Sequence, residues 1–129
     1  MLKTFLVFIS MVTFVNGMNN VVPISRVYSE TFNNCSESVI STYDITACLE
    51  KELKLQDKKL NKAYKKTMSR IQYFRKEDLK NIQRAWMKYR DLKCGFYYHK
   101  ESGSGGLSDM SECFLDETIL RTIELEHTF

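Results

Sequence analysis

From Thr46 to Phe74 the chain carries neither glycine nor proline, and its apolar residues keep a helical rhythm. Wound at about 100° per residue, Leu49, Leu53, Leu60, Tyr64, Thr67, Ile71 and Phe74 share one face, with lysines opposite. The pattern predicts one long amphipathic helix, capped by Asp44 or Thr46, with Glu50 in its first turn. A break near Phe74-Arg75-Lys76 precedes a second helix that starts at Glu77-Asp78 and carries the stripe Leu79, Ile82, Trp86, Tyr89, Phe96. So short a connection makes two long helices antiparallel neighbours. Ser102-Gly103-Ser104-Gly105-Gly106 reads as a flexible loop. A shorter third helix is expected from Ser108 or Asp109 to about Glu126, offering Phe114, Ile119 and Ile123 for packing. The fold class is all-α: a small disulfide-bonded bundle of two long antiparallel helices and a shorter third.

The N-terminus bears on the compartment. Lys3 followed by an apolar run through Val15, then Val15-Asn16-Gly17, has the form of a secretory signal peptide over residues 1–17. That run is short for a membrane span, although an uncleaved anchor is the rival reading. No cysteine lies near the cleavage point, which excludes the bacterial lipoprotein route. Residues 18–44 hold the single proline, Pro23, and no helical stripe; they are expected as an extended lead-in, tied down by Cys35, to a helical domain over 45–129. Asn34-Cys35-Ser36 fits a glycosylation sequon, relevant only to a eukaryotic secretory route.

The four cysteines, Cys35, Cys48, Cys94 and Cys113, all follow the apolar run, and an even number in a small exported chain reads as two disulfides. Four cysteines allow three pairings, and sequence alone does not choose among them. Cys35–Cys48 with Cys94–Cys113 is preferred, because each bridge ties a helix end to its flanking segment. A zinc site is disfavoured: there is no C-x-x-C pair, and His99 and His127 lie outside ligand spacing. No metal or other cofactor is expected.

Charge is unevenly spread. The formal sum is +3, but Thr46 to Phe74 holds eight Lys/Arg against three acids, whereas Met110 to Phe129 holds five acids against Arg121 alone. Such a domain either pairs its own charged helices or shows two differently charged faces. A basic amphipathic helix invites a nucleic-acid reading, but export, the modest sum and the acidic third helix oppose it. The catalytic inventory is thin. No nucleophile–base pair, metalloprotease signature or phosphate loop is present, and Glu77-Asp78 is explained by a helix start. The chain reads as a binding protein, not an enzyme.

Polar residues stand on the edges of both apolar stripes. Asp57 and Asn61 flank Leu60 and Tyr64 on the first helix, and Gln83 and Arg90 flank Trp86 on the second. Buried polar groups must be satisfied, so these edges are expected to meet as a hydrogen-bonded network that sets helix register around a buried Trp86. A direct ligand-binding role is the alternative.

The same residues carry a resemblance. Cys48, Asp57, Leu60-Asn61 and Tyr64, then Gln83-Arg84-Ala85-Trp86, Tyr89-Arg90-Asp91 and Cys94, then Cys113, Thr118 and Arg121 resemble the LprI-type lysozyme-inhibitor family over roughly Cys35 to Leu125. The resemblance implies a disulfide-bonded all-α domain, periplasmic or secreted, that binds a protein partner such as a lysozyme or another wall hydrolase. An immunity-type protein against a toxin, or an envelope-stress domain with no enzyme target, are the competing roles. A stable membrane anchor after signal cleavage is not expected. The candidate partner contact is the glycine run with Gly105 and Gly106, together with Asp109, Glu112 and Asp116, whose charge would attract a cationic enzyme.

Overall fold

The computed structural model describes residues 28–129, so the signal-peptide reading lies outside the described residues. Helix α1 spans Glu30–Glu37, α2 Thr42–Arg70, α3 Lys76–Gly95 and α4 Gly103–His127, with a 3₁₀ turn at Tyr73–Arg75 entering α3. There is no strand among the described residues.

The expected extended lead-in is corrected at α1. Ser29 caps this helix, its Oγ accepting from the backbone N–H of Phe32 at 3.1 Å, and Phe32 is buried. Eight residues are too few to show a repeating stripe, and an isolated helix of this length is marginal in water. Packing of Phe32 against α2 and α4, and the Cys35–Cys48 bridge, supply what propensity does not. Helix α2 also begins earlier than expected. Ser41 is its cap, accepting from Asp44 N–H at 3.2 Å and donating to Asp44 Oδ2 at 2.7 Å, so Asp44 sits inside the first turn.

A second correction concerns the glycine run. Residues Gly103 to Gly106 form the first turn of α4, which is 25 residues long against 20 for α3, so the third of the long helices is not the shorter one. Gly103 opens it at φ +63°. Gly106 is needed for closeness: a Cβ there would lie 2.4 Å from Ser102 Cβ and 2.9 Å from the Tyr97 carbonyl oxygen. Helix α4 thus starts tucked beneath the end of α3, where the Cys94–Cys113 bridge holds it.

The chain passes up α2, down α3 and up α4. Leu49 shares a cluster with Leu115 and Ile119, while Leu60 and Ala63 share another with Leu125, so α2 and α4 run parallel. Helix α3 is antiparallel to both, as the short α2–α3 connection predicts. Most of the core nevertheless lies between α2 and α4, and α3 buries only Leu79 and Cys94. The expected α3 stripe is therefore corrected: Ile82, Tyr89 and Phe96 are exposed, and Trp86 is half-buried rather than enclosed. Phe74 and Ile123 are exposed as well. Both disulfides adopt the preferred pairing, with Cα–Cα distances of 5.9 and 5.4 Å. One fastens α1 to α2 and the other α3 to α4.

Candidate functional site

The motif residues of α3 and α4 form a column of alternating rings and guanidinium groups. Arg90 lies with its guanidinium carbon 5.3 Å from the Phe114 ring centre and 5.0 Å from that of Trp86. Arg121 lies 5.8 Å from the Trp86 ring and 5.5 Å from that of Phe129. The sequence Phe114, Arg90, Trp86, Arg121, Phe129 thus stacks cations on π faces along the α3–α4 seam. Hydrogen bonds fix its members: Arg90 Nη1 donates to Thr118 Oγ1 at 3.3 Å, and Arg121 Nε donates to Gln83 Oε1 at 2.9 Å. Arg90 also pairs with Asp57 Oδ1 at 3.8 Å, which reaches across from α2.

Arg121 has only 2% of its side chain exposed. Its Nη1 reaches the half-exposed Glu124 at 2.6 Å, and its Nη2 is buried with no oxygen partner. The adjoining ring faces are what Nη2 has in place of an acceptor. Asn61 is not part of this network, a correction to the sequence reading: it is exposed on α2 and makes no hydrogen bond to Gln83 or Arg90. Tyr64 is half-buried in the second core cluster, and Tyr89 is exposed beneath Lys93 Nζ.

At the other end of α4 the acids gather. Asp109, Glu112 and Asp116 repeat at helical spacing on the outer face of α4 and, with Tyr97 and Cys113, line a depression of about 200 Å³. Asp109 and Glu112 are exposed; Asp116 is half-buried and accepts from the Tyr28 hydroxyl at 2.8 Å. Burial pushes the Tyr28 hydroxyl pKa well up, and the bond to Asp116 and the nearby Glu112 and Glu52 carboxylates push it further. The phenol therefore remains a donor, holding Asp116 in place. Lys93 Nζ reaches Glu117 at 2.6 Å, and that bond raises the lysine pKa. The glycines behave differently from expectation. Gly106 is buried and has no surface to offer, while Gly105 is an exposed position of the helix rather than a loop tip.

Comparison with known proteins bears on both regions. The family model for the lysozyme inhibitor LprI matches residues 33–125, a span that contains the acidic depression, both disulfides and every member of the ring–guanidinium column except Phe129. The chain belongs to the LprI lysozyme-inhibitor family. A relative from Rhizobium meliloti, an uncharacterised protein, is 32% identical over 111 residues, covering 72% of this chain and 76% of the relative. No solved structure matches.

The LprI family is named for inhibition, so membership implies a protein partner and a setting outside the cytoplasm, where disulfides persist. No helix among the described residues is long and apolar enough to cross a membrane. Among the residues with motif status in this LprI-type chain, Gln83, Trp86, Arg90, Thr118 and Arg121 contact one another along the α3–α4 seam, with Arg121 Nη2 left without an acceptor. Sequence reading missed one further polar group. Glu52 and Gln56 are buried on α2, where Glu52 accepts from Ser29 N–H at 3.0 Å, from the Ser29 hydroxyl and from Gln56 Nε2 at 2.6 Å. The signal was present, since both residues fall in the same arc of the helical wheel as Leu49, Leu60 and Thr67.

Proposed function

We propose that this protein inhibits a lysozyme or a related wall hydrolase by docking the acidic end of its bundle onto the enzyme. The observation that carries this reading is the placement of Asp109, Glu112 and Asp116 on one outward face, around a depression that Tyr97 and the Cys94–Cys113 bridge border. Muramidases that act on anionic walls are cationic, so such a face raises the encounter rate and favours one docking orientation. Helix and disulfide hold the face before binding, which lowers the ordering cost of association. Tyr97 on its rim supplies aromatic contact area, a side-chain type enriched among residues that carry binding energy in protein interfaces.

The test is lysis of a cell-wall suspension by a panel of muramidases, with and without the protein. Asp109→Lys/Glu112→Lys is the diagnostic variant, because both acids are exposed and neither holds the fold together. Asp116 is left alone because Tyr28 depends on it. Inhibition should fall at least about tenfold in the variant, chiefly through slower association, while its melting temperature is kept. Undiminished inhibition would place the contact elsewhere, and absence of inhibition across the panel would refute the role.

A further inference from the structure

The opposite end of the bundle presents a different chemistry. Where α2 turns into α3, Tyr73 and Phe74 stand adjacent on the 3₁₀ turn, 89% and 69% exposed. Neither belongs to a core cluster, and a turn at this place would be served by polar residues at no cost to packing. Arg75 lies over the Phe74 ring at 5.7 Å, Lys76 and Lys80 share a cleft with the pair, and the flanking sequence is rich in further cations. Residues 65–80 include Lys65, Lys66, Arg70, Arg75, Lys76 and Lys80 against the two acids Glu77 and Asp78. The acids are matched by Lys80 at 3.1 Å and Arg75 at 3.3 Å, whereas Lys65, Lys66 and Lys76 have no carboxylate partner among the described residues. Arg70 caps the carbonyls at the end of α4, and Glu124, paired with Arg121, and Glu126 are the acids on that neighbouring helix end. Clefts flank the turn on both sides. Arg70, Arg75, Leu79, Ile82 and Phe129 border one of about 550 Å³, and Met68, Tyr73, Phe74, Lys76 and Lys80 border another.

We infer that this turn is a peripheral docking tip for an anionic lipid bilayer surface, with Tyr73 and Phe74 entering the headgroup–acyl boundary and the surplus lysines facing lipid phosphates. Aromatic side chains favour that boundary, where a ring body meets hydrocarbon and a polar edge stays wet. Lysines and arginines near an anionic surface add attraction that salt screens within about 8 Å at physiological ionic strength. Because α2 and α4 run parallel, the tip and the acidic depression lie at opposite ends of the molecule. A membrane-docked copy would hold its acidic end away from the anionic surface. The inference does not rest on the inhibitor reading, since the acidic end takes no part in it.

The experiment uses protein as it accumulates in cells, with its N-terminus fixed by mass spectrometry. Co-sedimentation is measured with vesicles of phosphatidylcholine alone and of equal parts phosphatidylcholine and phosphatidylglycerol. Binding is expected with the anionic vesicles only, and it should weaken as salt rises. Tyr73→Ser/Phe74→Ser removes exposed side chains, so its melting temperature should be unchanged while binding falls at least about tenfold. Lys76→Gln should weaken binding about fivefold, the factor for the ~1 kcal/mol one such cation contributes. Asp109→Lys/Glu112→Lys should bind no more weakly than the parent. Equal binding to both vesicle types, no binding to either, or binding that survives Tyr73→Ser/Phe74→Ser would each overturn the proposal. Survival in that variant with salt sensitivity intact would identify a general polyanion patch instead.

Discussion

Arg121 offers a sharp test of what holds the α3–α4 seam together. Its guanidinium is almost fully buried between Trp86 and Phe129, yet its polar partners are modest: the Gln83 amide oxygen at 2.9 Å, and Glu124, whose side chain is 46% exposed. A charge-assisted bond to a neutral acceptor is worth about 1.5–3 kcal/mol, and a pair with a half-exposed acid no more than about 1 kcal/mol. Against this stand the desolvation of a buried cation, several kcal/mol, and the unpartnered Nη2. The charge should therefore come close to balance, leaving shape as the main contribution. Truncation to Ala opens a void between two rings and should cost about 3 kcal/mol, whereas Arg121→Met, which keeps the length of the side chain, should fall within about 1 kcal/mol of the parent. For a domain of this size the first corresponds to a drop of more than about 10 °C in melting temperature. Denaturant unfolding followed by Trp86 fluorescence, with disulfides intact, measures both. If Arg121→Met is as damaging as Arg121→Ala, the charge is what the seam requires, and the packing argument is wrong.

Three other outcomes follow from the same geometry. Thiol labelling of unreduced, denatured protein should find no free cysteine, and opening either bridge by paired Cys→Ala replacement should cost about 3 kcal/mol, the value for loops near this length; any labelled thiol contradicts the pairing. Gly106→Ala should destabilise by about 1–3 kcal/mol because its Cβ meets Ser102 and Tyr97, while Gly105→Ala, with nothing nearby, should stabilise by up to about 1 kcal/mol, both read by thermal melts. Tyr28 binds its proton more tightly folded than unfolded, so its contribution is complete below pH 10 and is lost as pH rises toward the higher folded value. Stability at alkaline pH should thus fall more steeply in the parent than in Tyr28→Phe, as denaturant titrations across that range would show.

What the sequence decided is local or covalent. The Gly- and Pro-free stretch and its apolar arc are a property of one helix, so α2 was legible to within a turn at each end. The cysteine count called for two bridges, and the helix ends the cysteines occupy favoured, without deciding, the pairing the fold adopts. The stripe around Trp86 pointed to Gln83 and Arg90, whereas Thr118 and Arg121 entered through the family resemblance. What the sequence left open depends on which helix faces which. A stripe records that a helix can bury one side, not how much of it a partner covers, so Ile82, Tyr89 and Phe96 read as core although α4 rather than α3 fills the space against α2. Weak local signals were overruled in the same way. Gly103 to Gly106 favour a loop by propensity, and α1 is too short to nucleate alone, yet a bridge and a few buried contacts make both helical. The charge pattern shows the division most clearly. Acidic and basic segments can be counted in the sequence, but only the parallel run of α2 and α4 sends Lys66 and Arg70 to one end of the molecule and leaves Asp109 and Glu112 at the other, because direction along a bundle is fixed by packing between helices and not by the order of residues within them.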